Sequence, residues 1–515
     1  MDVAEKTLPS GQAERLERWF GAIVDFARRR PGETVAAILA AHLVIWTALP
    51  FLLHNNLELD PVEGLALGKE WQLGYWKHPP LPWWIEDAAY RMVGDIRVVY
   101  LLGPLATASC MYVVWRFARE LVAPEMALVA VLALEGLHYF NFSALKFDHD
   151  QCQLPFWALT GWLVYRGVSG ARIVDWALAG VCLALAFWSK YAAVALAATI
   201  GIFLLADPDA RRSWLTPGPY VMAAMFALVI APQVWWLATT GFLPLHYADA
   251  RAVAASHWYD YVVFPLLWTG GQVLALLPAA ALLALPYAGR RRPPAPTSGT
   301  GGFARRYVTA LAIGPFLFTT VVALLMGRLP VALWGYPLWN LAPLAAVMWL
   351  AQPQHRRGQL RFAAAFLAIF VALPTVYAAD AVFAPLFRDR AKAMEFSGRM
   401  MAQTITAEWR AATGSPLTYV GGTQFAANNM AVYSPDRPYV VVEADLARSP
   451  WIDPGDLRRR GLVIVWERNL SRDMPEAMRA NFPDAEFRAV LDVPRRTVRA
   501  RSPVGIGYAF VKPRP

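Results

Sequence analysis

The residues best suited to chemistry lie in one long loop, residues 55–95. Asp60 and Glu63 are three positions apart there, so on a helix their carboxylates would share a face. His78 follows, and the Pro-Pro pair after it cannot continue a helix. An acidic pair near an imidazole could act as a general base or assist a metal in attack on a phosphate ester. An interfacial helix whose acids merely face water is the alternative interpretation of the pair.

A second ionisable group is the run Asp148-His149-Asp150. Two carboxylates flanking an imidazole offer hard and borderline ligands, so a divalent metal is a possible cofactor. The three residues are too close together for a typical metal triad on one element. We therefore expect Asp150 to hold an acceptor or a phosphate-bound cation, with Asp148 and His149 as second choices.

Two isolated cations follow in otherwise apolar sequence. Lys190 lies in a tight turn between apolar helices, and Arg328 lies in another short turn. Ionisable residues at span ends are costly unless they pair or face water, so both could hold a phosphate. Snorkelling to lipid headgroups is the alternative. His246, Asp249 and Arg251 could border a sugar, although a solvated loop is the favoured interpretation.

The elements that position these groups are apolar runs of membrane-spanning length. The 515 residues are 57% hydrophobic and only 17% charged, whereas soluble chains are nearer a quarter charged. Runs of about 20 apolar residues can cross a hydrocarbon core of roughly 30 Å. We predict a mainly α polytopic membrane protein with about 11 transmembrane helices. The spans are expected near 33–54, 96–117, 124–145, 151–168, 173–189, 191–206, 219–240, 261–288, 307–327, 331–351 and 361–379.

Arginine clusters in alternate loops predict the orientation. Arg28 to Arg30, Arg211 and Arg212 are examples, while the intervening loops hold acids, histidines and aromatics. The positive-inside rule then places the N-terminus in the cytoplasm and the C-terminus outside. All the candidate residues above, and Lys77, fall on the outer side. The net charge of +10 is explained by this pattern, so we expect no nucleic-acid partner.

The composition divides the chain into three parts. We expect residues 1–32 to form a cytoplasmic amphipathic segment on the inner leaflet. We expect residues 33–379 to form the transmembrane catalytic domain, with its first extracytoplasmic loop at 55–95. Within this part, 293–302 is a Pro/Gly/Ser linker. Residues 380–515 alternate short β-rich runs with helical stretches, which predicts an α/β extracytoplasmic domain. The β-rich runs are Leu417 to Val420, Tyr439 to Val442, Leu462 to Trp466 and Tyr508 to Val511.

Four stretches resemble, in order and sidedness, the C-type membrane glycosyltransferases that use polyprenyl-phosphate sugars. This superfamily includes lipid A aminoarabinose transferases and protein O-mannosyltransferases. The stretches are Gly-Tyr-x-x-His-Pro-Pro-Leu ending at Leu81, Asp150-Gln-Cys-Gln-Leu-Pro-Phe-Trp157, Leu183-Ala-Leu-Ala-Phe-Trp-Ser-Lys190-Tyr191, and Tyr419-Val-Gly-Gly-Thr through Tyr433-Ser-Pro-Asp-Arg-Pro438.

The resemblance implies an inverting glycosyltransferase of the C-type fold in a bacterial inner membrane. It implies a polyprenyl-phosphate sugar donor, membrane lipid as surroundings, and an acceptor such as lipid A, its core, another glycolipid or a periplasmic protein. Asp60 takes the place of the base that activates the acceptor, with Glu63 as the second candidate. The implied donor phosphate-binding residues are His78, Lys77, Lys190 and Arg328.

Two other functions fit a polytopic envelope protein. A transporter or flippase of lipid-linked sugars would need broken helices near mid-membrane, often in paired repeats. The ionisable residues gather instead at one interface, and no internal repeat is visible. A non-catalytic envelope binding protein acting through its C-terminal domain is the second alternative.

Overall fold

The structure is a computed structural model that describes residues 10–287, 301–350, 356–388, 392–468, 473–495 and 503–514. The predicted linker, residues 293–302, lies outside these ranges except for its last two residues.

Helices dominate the described chain, and many of them are long Ala- and Leu-rich runs. In lipid the backbone N–H and C=O groups must pair within the protein, and an α-helix pairs them within the segment itself. They are α1 (Ser10–Arg29), α2 (Pro31–Leu53), α3 (Leu59–Gly68), α4 (Leu81–Val93), α5 (Val99–Leu121), α6 (Pro124–Leu132), α7 (His149–Gly170), α8 (Ile173–Ser189), α9 (Val194–Ala206), α10 (Pro208–Arg211), α11 (Gly218–Thr239), α12 (Leu243–Arg251), α13 (Asp260–Ala284), α14 (Gly302–Met326), α15 (Ala342–Trp349), α16 (Arg356–Phe383), α17 (Gly398–Thr413), α18 (Gln424–Tyr433), α19 (Pro454–Arg460) and α20 (Glu476–Asn481).

Six helical segments in the described ranges are long and apolar enough to cross a membrane, or up to eight if each of two bent pairs is one span. The six are Pro31–Leu53, Ile96–Leu121, Gly218–Thr239, Asp260–Tyr287, Gly302–Met326 and Arg356–Leu386. The polytopic character is therefore confirmed, and the count of about eleven crossings stays a prediction.

The predicted span 124–145 is not one straight helix. It bends by 91° between Pro124–Gly136 and His138–Leu145. Asn141 donates from its amide to the carbonyl oxygens of Glu135 at 3.0 Å and Leu137 at 2.8 Å, so its side chain links the two arms of the bend. Irregular backbone at membrane depth is tolerated where protein covers it, and this segment is almost wholly buried.

The division predicted near Lys190 is present. Helix α8 ends at Ser189, Lys190 is extended with φ −160° and ψ 135°, and α9 follows a short 3-10 turn. The backbone N–H of Lys190 still donates to the carbonyl of Ala186 at 2.8 Å, which completes the last turn of α8. This break places Lys190 in the connection between the two helices.

The C-terminal part forms a mixed five-stranded sheet. Its strands are β3 (Tyr419–Gly422), β4 (Tyr439–Val442), β5 (Leu462–Glu467), β6 (Glu486–Val493) and β7 (Val504–Val511), after the short pair β1 (Val253–Ala254) and β2 (Arg328–Leu329) in the helical body. The order is β4-β3-β5-β7-β6, with β3 parallel to β4 and β5, and β7 antiparallel to β5 and β6. The predicted fold class, a helical membrane protein with a C-terminal α/β domain, is confirmed. The exact domain boundaries and the side of the membrane stay predictions.

The α/β domain packs directly on the first loop. Helices α3 and α17 contribute to one hydrophobic core, with Leu65 and Ile405 among its fully buried members. The backbone N–H of Leu57 donates to the Tyr433 hydroxyl at 2.8 Å, and the Asn55 amide donates to the Phe396 carbonyl at 3.0 Å. The sheet domain therefore fixes the position of the loop that carries Asp60.

Candidate active site

Asp60 lies in the first turn of α3, where the positive end of the helix dipole favours a carboxylate. Its Oδ2 is 2.6 Å from Nζ of Lys146, and 37% of its side chain is exposed. Burial raises the pKa of Asp60, but the Lys146 ammonium, with smaller contributions from Lys77 and His149, holds that pKa below its usual value. Asp60 is therefore an ionised and reachable carboxylate at neutral pH.

Glu63, one turn along the same helix, has a different environment. Its side chain is 3% exposed, and its Oε2 is 2.6 Å from Nζ of Lys77. Gln424 of the α/β domain donates to the other oxygen at 2.5 Å. Burial raises the pKa of Glu63 despite the attraction of Lys77. These bonds tie the loop to the domain, and they favour Asp60 over Glu63 as the reactive carboxylate.

Replacing Lys77 with Met should lower the free energy of unfolding by about 3 kcal/mol, because a buried acid loses its counter-charge. Thermal unfolding in detergent measures this as a lower melting temperature. The double variant Lys77→Met with Glu63→Gln is the matched control and should recover most of the loss. An unchanged melting temperature for the single variant would show that the pair contributes nothing to stability.

Lys146 links Asp60 to the start of α7. Its Nζ also lies 3.2 Å from Oδ2 of Asp148. The other oxygen of Asp148 caps α7 by accepting from the backbone N–H groups of Asp150 at 2.8 Å and Gln151 at 3.1 Å. Burial raises the pKa of Asp148 to about 6 against the opposing effect of Lys146. Asp148 therefore positions α7 and Lys146.

Asp150 and Lys190 form an ion pair at the opposite end of this cluster. Nζ of Lys190 is 2.6 Å from both carboxylate oxygens, and Gln153 donates to Oδ1 at 3.2 Å. The two side chains are only 12% and 13% exposed. Nζ also lies 6.0 Å from the ring centre of Trp334. Because Asp150 neutralises Lys190, a phosphate that bound this ammonium would have to compete with Asp150 for it.

The two histidines stack beside the cluster. The rings of His78 and His149 are 4.0 Å apart at 35°, and Nε2 of His149 lies 3.2 Å from the carbonyl oxygen of Pro79. Burial lowers the pKa of His78 well below its usual value, and the charges of His149, Lys77 and Lys190 lower it further. His78 is therefore neutral at pH 7 and could bind a phosphate only by donating a hydrogen bond.

The residues expected near the sugar lie on α12 and are exposed. Asp249 pairs with Arg328 at 2.5 Å, and Arg328 also donates to the carbonyl of Ala252 at 3.4 Å. His246 and Arg251 are surface side chains. Within the described residues, the ion pair of Arg328 is thus with Asp249, and its role in donor binding stays a prediction.

The residue of α12 that does reach the loop is Tyr247, which we did not predict. Its ring is 4.9 Å from that of Trp76 and 5.9 Å from that of His78. It also lies 5.9 Å from Nζ of Lys77. Tyr247 thus packs against the part of the first loop that carries Lys77 and His78.

Glu86 on α4 is a second unpredicted member of the site. It is 1% exposed, and neither carboxylate oxygen has a hydrogen-bond partner among the described residues. It lies so close to Gly64 of α3 that a Cβ there would stand 1.4 Å from Oε2. Burial, with Asp60, Asp148 and Glu63 nearby, raises its pKa well above the usual value. Glu86 is therefore a neutral acid beneath the cluster.

The three candidate metal ligands have different partners. Asp148 caps α7, His149 contacts Pro79, and Asp150 binds Lys190. Across the described ranges, no group of three or more His, Cys, Asp or Glu side chains is placed to hold a metal ion. A divalent metal stays an untested prediction.

Comparison with known proteins agrees with the resemblance shown by the motifs. Residues 77–236 match the family model described as dolichyl-phosphate-mannose-protein mannosyltransferase. No curated protein matches the chain by sequence.

Two solved structures are similar to this one. ArnT from Cupriavidus metallidurans bound to undecaprenyl phosphate is 15% identical, over 92% of this chain and 98% of that chain, with a TM-score of 0.49. The Archaeoglobus fulgidus oligosaccharyltransferase tethered with an acceptor peptide is 11% identical, over 85% and 69% of the two chains, with a TM-score of 0.41. The family match bears out the prediction of a glycosyltransferase. The chain is thus a polytopic membrane protein that is similar, over residues 77–236, to the polyprenyl-phosphate-sugar-dependent glycosyltransferases its motifs resemble.

Proposed function

We propose that this protein is an inverting glycosyltransferase that moves a sugar from a polyprenyl phosphate to an envelope acceptor at the periplasmic face of a bacterial inner membrane. One observation carries the proposal. A row of charged side chains runs from the reachable carboxylate of Asp60 through Lys146 to Asp148, and continues through the backbone N–H of Asp150, which donates to Asp148, to the Asp150–Lys190 ion pair. Such a row offers a base at one end and a cation for a phosphate at the other.

The reaction needs a base for the acceptor and stabilisation for the leaving group. Asp60 takes the proton from an acceptor hydroxyl as its oxygen attacks the anomeric carbon. The bond between that carbon and the phosphate oxygen breaks on the opposite face, so the configuration inverts. The lipid phosphate leaves with a second negative charge, which Lys190 and Lys77 stabilise. The acceptor is lipid A, its core, another envelope glycolipid or a periplasmic protein.

Lys146 sets the pH range in which Asp60 can act. Its ammonium favours the ionised carboxylate. In Lys146→Met that attraction is lost, so the effect of burial raises the pKa of Asp60. A higher pH is then needed to keep the base ionised. We expect the acid limb of the kcat/KM profile of Lys146→Met to move to higher pH, with less change on the plateau.

The pH profile should be recorded beside that of Lys392→Met, which removes an exposed lysine paired with Asp380 instead. That control should keep the wild-type profile. An acid limb at the same pH in all three proteins would contradict the assignment of Asp60 as the base.

Purified protein in liposomes, supplied with a polyprenyl-phosphate sugar labelled in the sugar, tests the proposal as a whole. A transferase releases free polyprenyl phosphate and produces a new labelled glycoconjugate with envelope lipid extract. A flippase moves the label across the bilayer without releasing phosphate, and a binding protein does neither. Either of these two results would overturn the proposal.

A further inference from the structure

A polar cavity of about 710 Å³ opens between the first loop and the α/β domain, apart from the Asp60 cluster. Its walls come from the end of α2, the α4–α5 connection, helix α17 and the segment after α18. Three arginines line it, namely Arg97, Arg399 and Arg437. Among the described residues, Asp95 is the one carboxylate in the lining, so three arginines share a single negative charge there.

Two of these guanidinium groups are held in place by contacts that leave them charged. Arg97 bonds Asp95 through Nη2 at 2.6 Å and lies 4.3 Å from the ring centre of Phe51. Arg437 stacks 3.9 Å from the ring centre of Tyr90, and its buried Nε has no hydrogen-bond partner among the described residues. Its backbone φ is +46°, a left-handed conformation that is unusual outside glycine. The fold thus holds Arg437 in a strained conformation, and its Nη2 donates to the carbonyl of Leu65 at 3.5 Å.

The third guanidinium group is more accessible. Arg399 is an exposed residue of α17 and lies 5.9 Å from the ring centre of Tyr433. Gln403, one turn later on the same helix, and Ser434 add neutral polar groups to the lining. Guanidinium forks match phosphate oxygens in geometry and are weakly hydrated, so this set is suited to a phosphate group.

The cavity lies where two candidate spans end. Phe51 belongs to the last turn of the span Pro31–Leu53, and Ile96 begins the span Ile96–Leu121. Exposed apolar side chains stand beside the lining residues, with Leu52 at 75%, Met92 at 80% and Val93 at 61% exposure. A ligand bound here would meet cations at its head and apolar side chains at the membrane surface.

We propose that this cavity binds the phosphate group of an anionic lipid whose acyl chains lie against the exposed apolar rim. The apolar rim argues for a lipid phosphate over a soluble phosphate, because a soluble anion gains nothing from Leu52, Met92 or Val93. The site is lined by neither Asp60 nor Lys190, so it does not depend on the proposed transfer reaction.

Native mass spectrometry of the purified protein in neutral detergent tests this inference. Dioctanoyl phosphatidic acid is the probe, dioctanoyl phosphatidylcholine is its neutral counterpart, and inorganic phosphate is the soluble competitor. We expect phosphatidic acid to bind more tightly than phosphatidylcholine, and inorganic phosphate to displace it only in large excess.

Two variants on the exposed face of α17 should weaken the binding of phosphatidic acid. Arg399→Gln removes one charge-assisted hydrogen bond, and Gln403→Glu adds a negative charge, so each should raise the dissociation constant about tenfold. Arg479→Gln removes one charge from the exposed surface of the same domain and should bind as the wild type does.

Three results would overturn the inference. They are equal binding of the two lipids, wild-type affinity in both α17 variants, or displacement of the lipid by inorganic phosphate at equal concentration. Failure of the labelled-sugar assay with normal lipid binding would instead count against the proposed transferase alone.

Discussion

Asp60→Asn should lower the rate of sugar transfer by about 10²- to 10⁴-fold, the range that a positioned general base contributes. Asparagine keeps the size of the side chain and can still accept a hydrogen bond from Lys146. It cannot take a proton from the acceptor. Donor binding and the melting temperature should therefore change little, since the cations and the packing of α3 remain.

The measurement is single-turnover transfer in detergent, with donor binding recorded on the same preparation. Glu63→Gln is the matched comparison, because Glu63 is one turn away and buried against Lys77 and Gln424. We expect Glu63→Gln to affect stability more than the chemical step. Near-wild-type turnover of Asp60→Asn would remove Asp60 from the mechanism.

Lys190→Ala should weaken the binding of polyprenyl phosphate by about 10- to 100-fold, as expected for the loss of a charge-assisted hydrogen bond of roughly 1.5–3 kcal/mol. Removal of Lys190 also leaves Asp150 without its counter-charge in a nearly buried position. The single variant should therefore be less stable as well as weaker in binding.

The double variant Lys190→Ala with Asp150→Asn separates these two effects. It should regain stability because the unpaired carboxylate is gone, but it should still bind the lipid phosphate weakly. Tryptophan fluorescence during titration with polyprenyl phosphate measures the dissociation constant without requiring turnover. A wild-type dissociation constant in both variants would show that Lys190 does not hold the donor.

Hydropathy and loop charge predicted the helical membrane body, but they did not predict its breaks. A sliding average over 124–145 is apolar throughout, whereas the fold bends there and Asn141 donates to the Glu135 and Leu137 carbonyls at the bend. In the α/β domain, the strand Tyr439–Val442 was predicted with its observed bounds. Strand β6, Glu486–Val493, was missed because its mixed polar sequence is largely exposed.

The candidate site was predicted unevenly for a related reason. Asp60, Asp150 and Lys190 were identified by motif and position, and the structure brings them into one row with Lys146. Lys146 pairs with a residue 86 positions away, and local sequence does not reveal such a partner. Its only available signal was its place two residues before Asp148. The sequence did not reveal the burial of Glu86, because that burial depends on the packing of α4 against α3 at Gly64.

The proposed mechanism requires above all that Asp60 and Lys190 face the same, periplasmic compartment. Single cysteines at positions 60, 190 and 215 can be introduced after Cys110, Cys152 and Cys182 are replaced, and labelled in spheroplasts with a membrane-impermeant maleimide. Leu215 is 90% exposed in a loop predicted to be cytoplasmic, so it is the opposite-side control. If the mechanism is right, we expect labelling at positions 60 and 190 from outside and at position 215 only after lysis. Labelling of 60 and 190 from opposite sides would contradict it.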